Sequence, residues 1–199
     1  MGPESAALLS SRSLKSSVLG CALLAPALLA GCDRQSTENT QPQAEQSAAG
    51  NLASKLDRLH KGEPLPDITL TDANGKEVAL PTLKGQPLLI NLWATWCAPC
   101  KAEMPTLDDV AAAKAGTLRV LAVSQDNQPE EAREFLKEHG FRHLEGWFDP
   151  QANLTFGLGA SVLPTTILYD AQGNEVWRYT GENDWMSEAA AKLLAESDS

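Results

Sequence analysis

Basic residues, histidines and cysteines are all scarce in this 199-residue sequence. Its 16 Lys and Arg stand against 26 Asp and Glu, which argues against binding to nucleic acid or to anionic lipid through charge. The three histidines, at positions 60, 139 and 143, have no spacing that would suit a metal site with the cysteines, so surface or helix-end positions are expected for them. An apolar content of 43% is ordinary for one globular domain.

A long uninterrupted apolar run is also missing. The apolar stretch from Val18 to Ala30 is too short to be predicted as a membrane-spanning helix, and Pro26 interrupts it. Because basic residues precede it at positions 12 and 15, it predicts a secretory signal instead. The stretch ends in the sequence LAGC at positions 29–32, which resembles the bacterial lipobox.

The lipobox resemblance implies that Cys32 is lipidated and becomes the first residue of the mature chain, while Cys21 leaves with the signal peptide. The alternatives are an uncleaved anchor, or an ordinary signal peptide followed by a chance cysteine. Both alternatives still export the rest of the chain. Asp33 resembles the signal that retains some lipoproteins at the inner membrane of Gram-negative bacteria.

The segment that follows is polar. Residues 33–51 are rich in Gln, Ser, Asn, Glu and Ala without apolar periodicity, which predicts a flexible tether. Apolar residues at 52, 56 and 59 are consistent with a short amphipathic helix over 52–60. The predicted organisation is a signal peptide over 1–31, a lipidated cysteine and tether over 32–60, and a folded domain over 61–199.

Strand and helix patterns alternate through this domain, which favours an α/β fold with a parallel sheet. The predicted elements are, in order, a β-hairpin over 67–80, a buried strand over 88–93, a helix from 97 to about 114, a strand over 118–123, a helix over 129–139, an irregular segment over 141–159 with a short helix at 151–156, a hairpin over 165–179, and a last helix over 186–195.

The two remaining cysteines lie where the buried strand gives way to the first turn of a helix. A helix N-terminus offers unpaired N–H groups and the positive end of the helix dipole, and both favour a thiolate over a thiol. Cys97 is therefore the expected nucleophile. Cys100 lies one turn further on the same face, close enough to form a disulfide with it. Lys101 excludes a c-type haem attachment, which needs histidine at that position.

Three sequence elements occur in order along the chain: WATWCAPC at 93–100, EMP at 103–105 and LPTT at 163–166. Together they resemble the TlpA/ResA/CcmG group of membrane-tethered, extracytoplasmic thiol-disulfide oxidoreductases, and the similarity spans about residues 62–196. A lone C-x-x-C would be weak, since zinc sites use it too. The resemblance implies a thioredoxin-like α/β fold with a central mixed sheet flanked by helices and an N-terminal β-hairpin extension.

The same resemblance implies roles for individual residues. Trp96 would shape the turn and contact substrate, leaving the Cys97 sulfur accessible while Cys100 stays covered. Pro164 would follow a cis peptide bond, which costs far less before proline than elsewhere. The Leu163 backbone would then be free to pair with an extended substrate. An ordinary trans proline in a loop is the alternative.

Glu103 would be a partly buried carboxylate that handles protons for the cysteine pair, because burial raises the proton affinity of a carboxylate. The alternative from sequence alone is a solvated glutamate on the helix surface. Asn91 stands where cytoplasmic thioredoxins have an aspartate, which shifts the acid–base role to Glu103 or to water. Asp184 and Trp185 resemble a feature of some TlpA-like proteins to which no chemistry is attached; Trp185 is otherwise predicted to pack in the core or at its edge.

The resemblance implies a reductant of disulfides in exported proteins, such as apocytochrome c or a copper-site protein. A membrane thiol-disulfide carrier would be the electron donor, and neither a cofactor nor a bound metal is expected. The alternative is a Cu(I) carrier or chaperone that holds the ion between the same two thiolates, although no third ligand is evident. The expected location is the periplasm or another extracytoplasmic face, with a lipid anchor and the inner membrane favoured.

Overall fold

The computed structural model describes residues 55–198, which form one sheet with helices on both faces. The strands are β1 (Leu56–Asp57), β2 (Thr69–Thr71), β3 (Glu77–Ala79), β4 (Leu88–Trp93), β5 (Arg119–Ser124), β6 (Glu145–Phe148), β7 (Thr165–Tyr169) and β8 (Glu175–Thr180). The α-helices are α1 (Ala98–Ala113), α2 (Pro129–Glu138), α3 (Asn153–Gly157) and α4 (Glu188–Leu194), and 3-10 helices cover Leu80–Leu83 and Ala195–Asp198. No helix in this part of the chain is long and apolar enough to cross a membrane.

The strand order is β1-β8-β7-β4-β5-β6-β2-β3. Strands β4, β5 and β6 run parallel, whereas β7, β8 and β1 and the hairpin of β2 and β3 add antiparallel pairs. All six residues of β4 are buried, as expected for a strand covered on both faces. The predicted mixed sheet and both predicted hairpins are confirmed.

Alternate residues of β4 contact different helices, because successive side chains of a strand point to opposite faces. Leu89 belongs to a core cluster with Leu107 of α1 and Leu193 of α4. Ile90 belongs to a second cluster with Leu154 of α3. Helices α1 and α4 therefore cover one face of the sheet, and α3 covers the other.

A third cluster lies where β4 ends. It contains Trp93 from β4, Ala132 from α2 and Phe148 from β6, together with Cys100 and Met104 from α1. This packing places the first turn of α1 at the carboxyl ends of the parallel strands. In open α/β sheets this edge is the usual place for a functional site.

Strand β6 corrects the prediction that residues 141–159 are irregular apart from a short helix. It pairs in parallel with β5, from Leu121 opposite Glu145 to Ser124 opposite Phe148. The strand is only four residues long and begins with Glu145 and Gly146, so the local alternation that marks a strand is missing. Pairing with a buried neighbour decides its conformation. The short helix predicted at 151–156 is found as α3.

Strand β1 corrects part of the prediction of an amphipathic helix over 52–60: residue 55 is helical, but Leu56 and Asp57 form a strand, and residues 52–54 lie outside the described residues. Leu56 pairs with Tyr179 in an antiparallel ladder with β8 and packs against the core. The sheet therefore begins before residue 61, where the folded domain was predicted to start. The predicted signal peptide, Cys32 and the tether up to residue 54 lie outside the described residues, and those boundaries stay predictions.

Candidate active site

Cys97 and Cys100 form a disulfide at the junction between β4 and α1. Cys97 is the N-cap of α1, with an extended backbone, and its sulfur accepts a hydrogen bond from the Cys100 N–H at 3.3 Å. Cys97 keeps 6% of its surface exposed and Cys100 keeps 0%. Unpaired N–H groups and the dipole at this helix end favour negative charge on Cys97 once the disulfide is reduced.

Asp126, which follows β5, holds the turn that leads into Cys97. Its buried carboxylate accepts hydrogen bonds from the Thr95 N–H at 3.1 Å and from the Thr95 hydroxyl at 2.7 Å. The Ser124 hydroxyl donates to the same carboxylate at 2.8 Å. Because Thr95 lies two residues before Cys97, these bonds fix the turn relative to β5. Asp126 was not among the predicted site residues, although an acidic residue two positions after a buried strand is a usable signal.

Glu103 lies one turn of α1 beyond Cys100 and is 2% exposed. Its Oε1 accepts a hydrogen bond from Asn91 Nδ2 at 2.7 Å. Its Oε2 accepts two, from Trp185 Nε1 at 3.0 Å and from the Asn183 backbone N–H at 3.0 Å. The alternative of a solvated glutamate on the helix surface is therefore wrong.

Burial raises the pKa of Glu103 from its ordinary value of 4.5 to about 7. Loss of hydration disfavours the charged form, and this effect outweighs the three hydrogen bonds, which favour it. The negative charge of Glu182 raises the pKa further. Near neutral pH the carboxyl group is thus divided between its two forms, the range in which a side chain can both accept and donate a proton.

The loop before β7 lies beside the cysteine pair. The Leu163–Pro164 peptide bond is cis, in agreement with the prediction, and Pro164 is buried. Leu163 packs against the cluster that contains both cysteines, and its N–H and C=O make no hydrogen bond with another described residue. Trp96, the neighbour of Cys97 in sequence, is 70% exposed. An unpaired backbone and an exposed aromatic ring are features that suit an extended peptide.

The histidines do not approach the cysteines in the way a metal site would need. His139 ends α2 and is exposed, as is His143, and the His60 ring contacts Glu63 at 3.1 Å. Across residues 55–198, no three His, Cys, Asp or Glu side chains form a group that could hold a metal ion.

Comparison with known proteins identifies the family. Residues 60–194 match the sequence profile described as Redoxin. The chain belongs to the redoxin family. The thiol:disulfide interchange protein DsbE of Vibrio cholerae is 32% identical over 163 residues, which cover 78% of this chain and 87% of that protein. The thiol-disulfide oxidoreductase ResA of Bacillus anthracis is 30% identical over 135 residues, covering 67% and 76%.

Solved structures of similar proteins agree with the assignment of this chain to the redoxin family. A DsbF homologue from Corynebacterium diphtheriae has a TM-score of 0.59 at 26% identity, over 71% of this chain and 90% of that chain. The pneumococcal exposed lipoprotein thioredoxin from Streptococcus pneumoniae has a TM-score of 0.57 at 26% identity, over 66% and 99%. The thioredoxin-like fold is confirmed, and the protein is a thiol-disulfide oxidoreductase of the DsbE/ResA type with a Cys97–Cys100 pair.

Trp185 and Asn183, like Asp126, are site residues that were not predicted from the sequence. Trp185 was expected to be a packing residue, and Asn183 was not considered. Both reach Glu103 from at least 80 positions away in the chain. No local sequence pattern predicts contacts between residues so far apart. The only available signal was the resemblance of Asp184 and Trp185 to a feature of related proteins.

Replacement of Asp126 by Ala is expected to lower the free energy of unfolding of the oxidised redoxin by about 2–4 kcal/mol. The reason is that the Thr95 N–H and the hydroxyl groups of Thr95 and Ser124 would lose their buried acceptor. Asp126→Asn keeps one acceptor oxygen and is expected to lose less. Guanidinium chloride denaturation measures both variants, and an Ala variant as stable as the wild type would contradict the role of Asp126.

The raised pKa of Glu103 predicts a pH-dependent stability with a definite sign. Between the unfolded value of 4.5 and the folded value of about 7, the folded protein binds more protons than the unfolded chain. The protonated form of the buried Glu103 carboxyl group stabilises the folded protein. This contribution to the free energy of unfolding is complete below pH 4.5 and is lost as the pH rises to about 7. Relative to Glu103→Gln, the wild type should therefore lose up to about 3 kcal/mol over this interval. Urea denaturation of both proteins at a series of pH values measures the difference; parallel curves would contradict it.

Proposed function

We propose that this protein reduces disulfides in exported proteins at the extracytoplasmic face of a bacterial membrane. The observation that carries the proposal is the Cys97–Cys100 disulfide at the start of α1, with the more accessible sulfur on the N-cap residue. The similarity to DsbE and ResA supports the type of reaction. Reduction, rather than oxidation, follows from the resemblance to the TlpA/ResA/CcmG group, because the motif alone does not fix the reduction potential.

The reaction begins with the pair in its dithiol form. The Cys97 thiolate attacks one sulfur of the substrate disulfide, and the other substrate sulfur leaves as a thiolate. Cys100 then gives its proton to Glu103 and attacks the Cys97 sulfur. The second substrate thiolate is released and the Cys97–Cys100 disulfide forms. Two electrons have passed from the pair to the substrate, and a membrane thiol-disulfide carrier returns them.

Substrate docking is assigned to the surface beside the disulfide. The free N–H and C=O of Leu163 pair with an extended segment of the substrate, while the Leu163 side chain packs against the cysteine cluster. Trp96 supplies an exposed aromatic surface for apolar side chains of the substrate. Unfolded exported proteins offer such extended segments; apocytochrome c and copper-site proteins are the classes that the family resemblance favours.

Lipidation of Cys32 would keep the enzyme close to its electron donor. The lipobox-like sequence at positions 29–32 and the polar segment after it support a lipid-anchored domain on a tether. The similarity to an exposed lipoprotein thioredoxin agrees with this location. The inner membrane is favoured by Asp33.

Cysteine variants test the proposal directly. With dithiothreitol as reductant, the wild type should accelerate the reduction of insulin disulfides, and Cys97→Ala should bring the rate to background because no nucleophile remains. Cys100→Ala should still react once and stay joined to its substrate, so trapping in cells followed by mass spectrometry identifies the substrate.

Turnover that persists in Cys97→Ala would refute the proposal. A Cu(I) titration run alongside tests the carrier alternative. Tight Cu(I) binding that needs both cysteines, together with no acceleration of disulfide reduction, would favour the carrier over the reductase.

The role of Glu103 is tested by separating the two chemical steps. Glu103→Gln should leave the attack by Cys97 nearly unchanged and slow the release of substrate from the mixed disulfide by about a hundredfold near neutral pH, because Cys100 loses its proton acceptor. Rapid-quench kinetics with a labelled peptide disulfide measure both steps. Glu131→Gln, on the exposed surface of α2, is the matched control. Equal rates for wild type and Glu103→Gln across the pH range would remove Glu103 from the mechanism.

A further inference from the structure

The carboxylate of Glu103 is held from a segment far away in the chain. Residues 182–185 lie between β8 and α4, and both hydrogen bonds to Oε2 come from this segment: the Asn183 N–H at 3.0 Å and Trp185 Nε1 at 3.0 Å. The Trp185 backbone N–H also donates to Thr106 Oγ1 at 3.2 Å. Glu103 and Thr106 are three residues apart on α1, so the 182–185 segment docks along one side of that helix.

Aromatic packing fixes the direction of the indole N–H. Trp185 is buried and lies parallel to Trp177, with ring centroids 6.2 Å apart and planes 5° apart. Its ring also meets the Tyr179 ring edge-on at 5.6 Å. Both partners belong to β8. The indole is thus held between the sheet and α1 with its N–H directed at Glu103, before any substrate binds.

We propose that Trp185 is a positioning residue that sets the proton affinity of Glu103, and so the pH range over which Glu103 takes the proton of Cys100. This inference rests on the proposed function for its kinetic consequence. An indole N–H is a donor and never an acceptor, so it favours the charged carboxylate. Its removal leaves a buried carboxylate oxygen with one donor fewer, which disfavours ionisation.

Besides Trp185, few groups near Glu103 affect the balance between its charged and neutral forms. Asn91, on the sheet side, is a neutral donor to Oε1. Glu182, in the same segment as Trp185, opposes ionisation through its charge. Tyr179 on β8 has its pKa raised by burial and by the charge of Glu103, so it stays neutral where Glu103 titrates. The cysteines do not titrate while they form the disulfide.

The decisive measurement is therefore made on the oxidised full-length protein. The pH titration of the Glu103 carboxyl carbon, followed by nuclear magnetic resonance and assigned with Glu103→Gln, reports proton affinity without contribution from the cysteines. Trp185→Phe keeps an aromatic ring and removes the N–H. Its midpoint should lie about one pH unit above that of the wild type.

Trp177→Phe is the matched control, since it makes the same change in the same aromatic stack. The Nε1 of Trp177 donates to the Leu193 carbonyl at 3.1 Å and does not contact Glu103. Its midpoint should equal that of the wild type. An unshifted midpoint in Trp185→Phe, or an equal shift in both variants, would overturn the proposal.

A second variant decides the question if Trp185→Phe does not fold. Thr106→Val removes the acceptor of the Trp185 backbone N–H and the donor to the Glu103 backbone carbonyl at 2.8 Å, while keeping the indole and the Glu103 carboxylate. Because the 182–185 segment is then held less tightly, the Glu103 midpoint should rise by less than in Trp185→Phe but in the same direction. An unchanged midpoint in Thr106→Val would in that case overturn the proposal.

Kinetics separate this inference from the proposed function. A one-unit shift lowers the ionised fraction of Glu103 at pH 7 from about a half to about a tenth, so release from the mixed disulfide should slow about fivefold in Trp185→Phe and recover at alkaline pH. A loss of equal size at every pH would indicate a structural role and would overturn the proposal. A shifted titration with unchanged kinetics in Glu103→Gln would refute the role of Glu103 in the reaction and leave Trp185 as the determinant of its proton affinity.

Discussion

The packing around the cysteine pair is organised by one buried carboxylate, that of Glu103. Burial disfavours its charge, and three hydrogen bonds from Asn91, Asn183 and Trp185 favour it, so the two effects leave its pKa about 7. A carboxylate with fewer donors would stay protonated at neutral pH, and one in water would stay ionised. Proton exchange with a thiol near neutrality needs this intermediate state.

The same carboxylate links separate parts of the chain beside the cysteine pair. Asn91 on β4 donates to Glu103 and, with its second N–H, to Thr166 at 2.9 Å, two residues after Pro164. The Pro164 carbonyl in turn accepts a hydrogen bond from the Gly181 N–H at 2.8 Å, just before the 182–185 segment. The loop proposed to dock substrate and the group proposed to move its protons thus share one hydrogen-bonded network.

The local sequence pattern was sufficient to predict the strands and helices whose own residues have a clear apolar pattern or a defined start. Strand β4 is apolar except for Asn91 and α1 begins directly after Cys97, so both were predicted within one residue of their observed ends. Strands β1 and β6 carry no such signal. Leu56–Asp57 is only two residues long and β6 lacks alternation, so their conformation is decided by the neighbouring strands β8 and β5. Pairing across the sheet overrode local preference in both places.

The sequence by itself determined the cysteine pair, because two residues three positions apart at a helix start are neighbours in any fold that forms the helix. It also determined that an asparagine stands at position 91, where cytoplasmic thioredoxins have an aspartate, so the proposed acid–base role falls to Glu103. Only the tertiary structure decided that Glu103 is a buried carboxylate with a raised pKa. Its proton affinity depends on how much water is excluded and on donors such as Trp185, 82 positions away, and neither quantity exists until the sheet, α1 and the 182–185 segment have packed together.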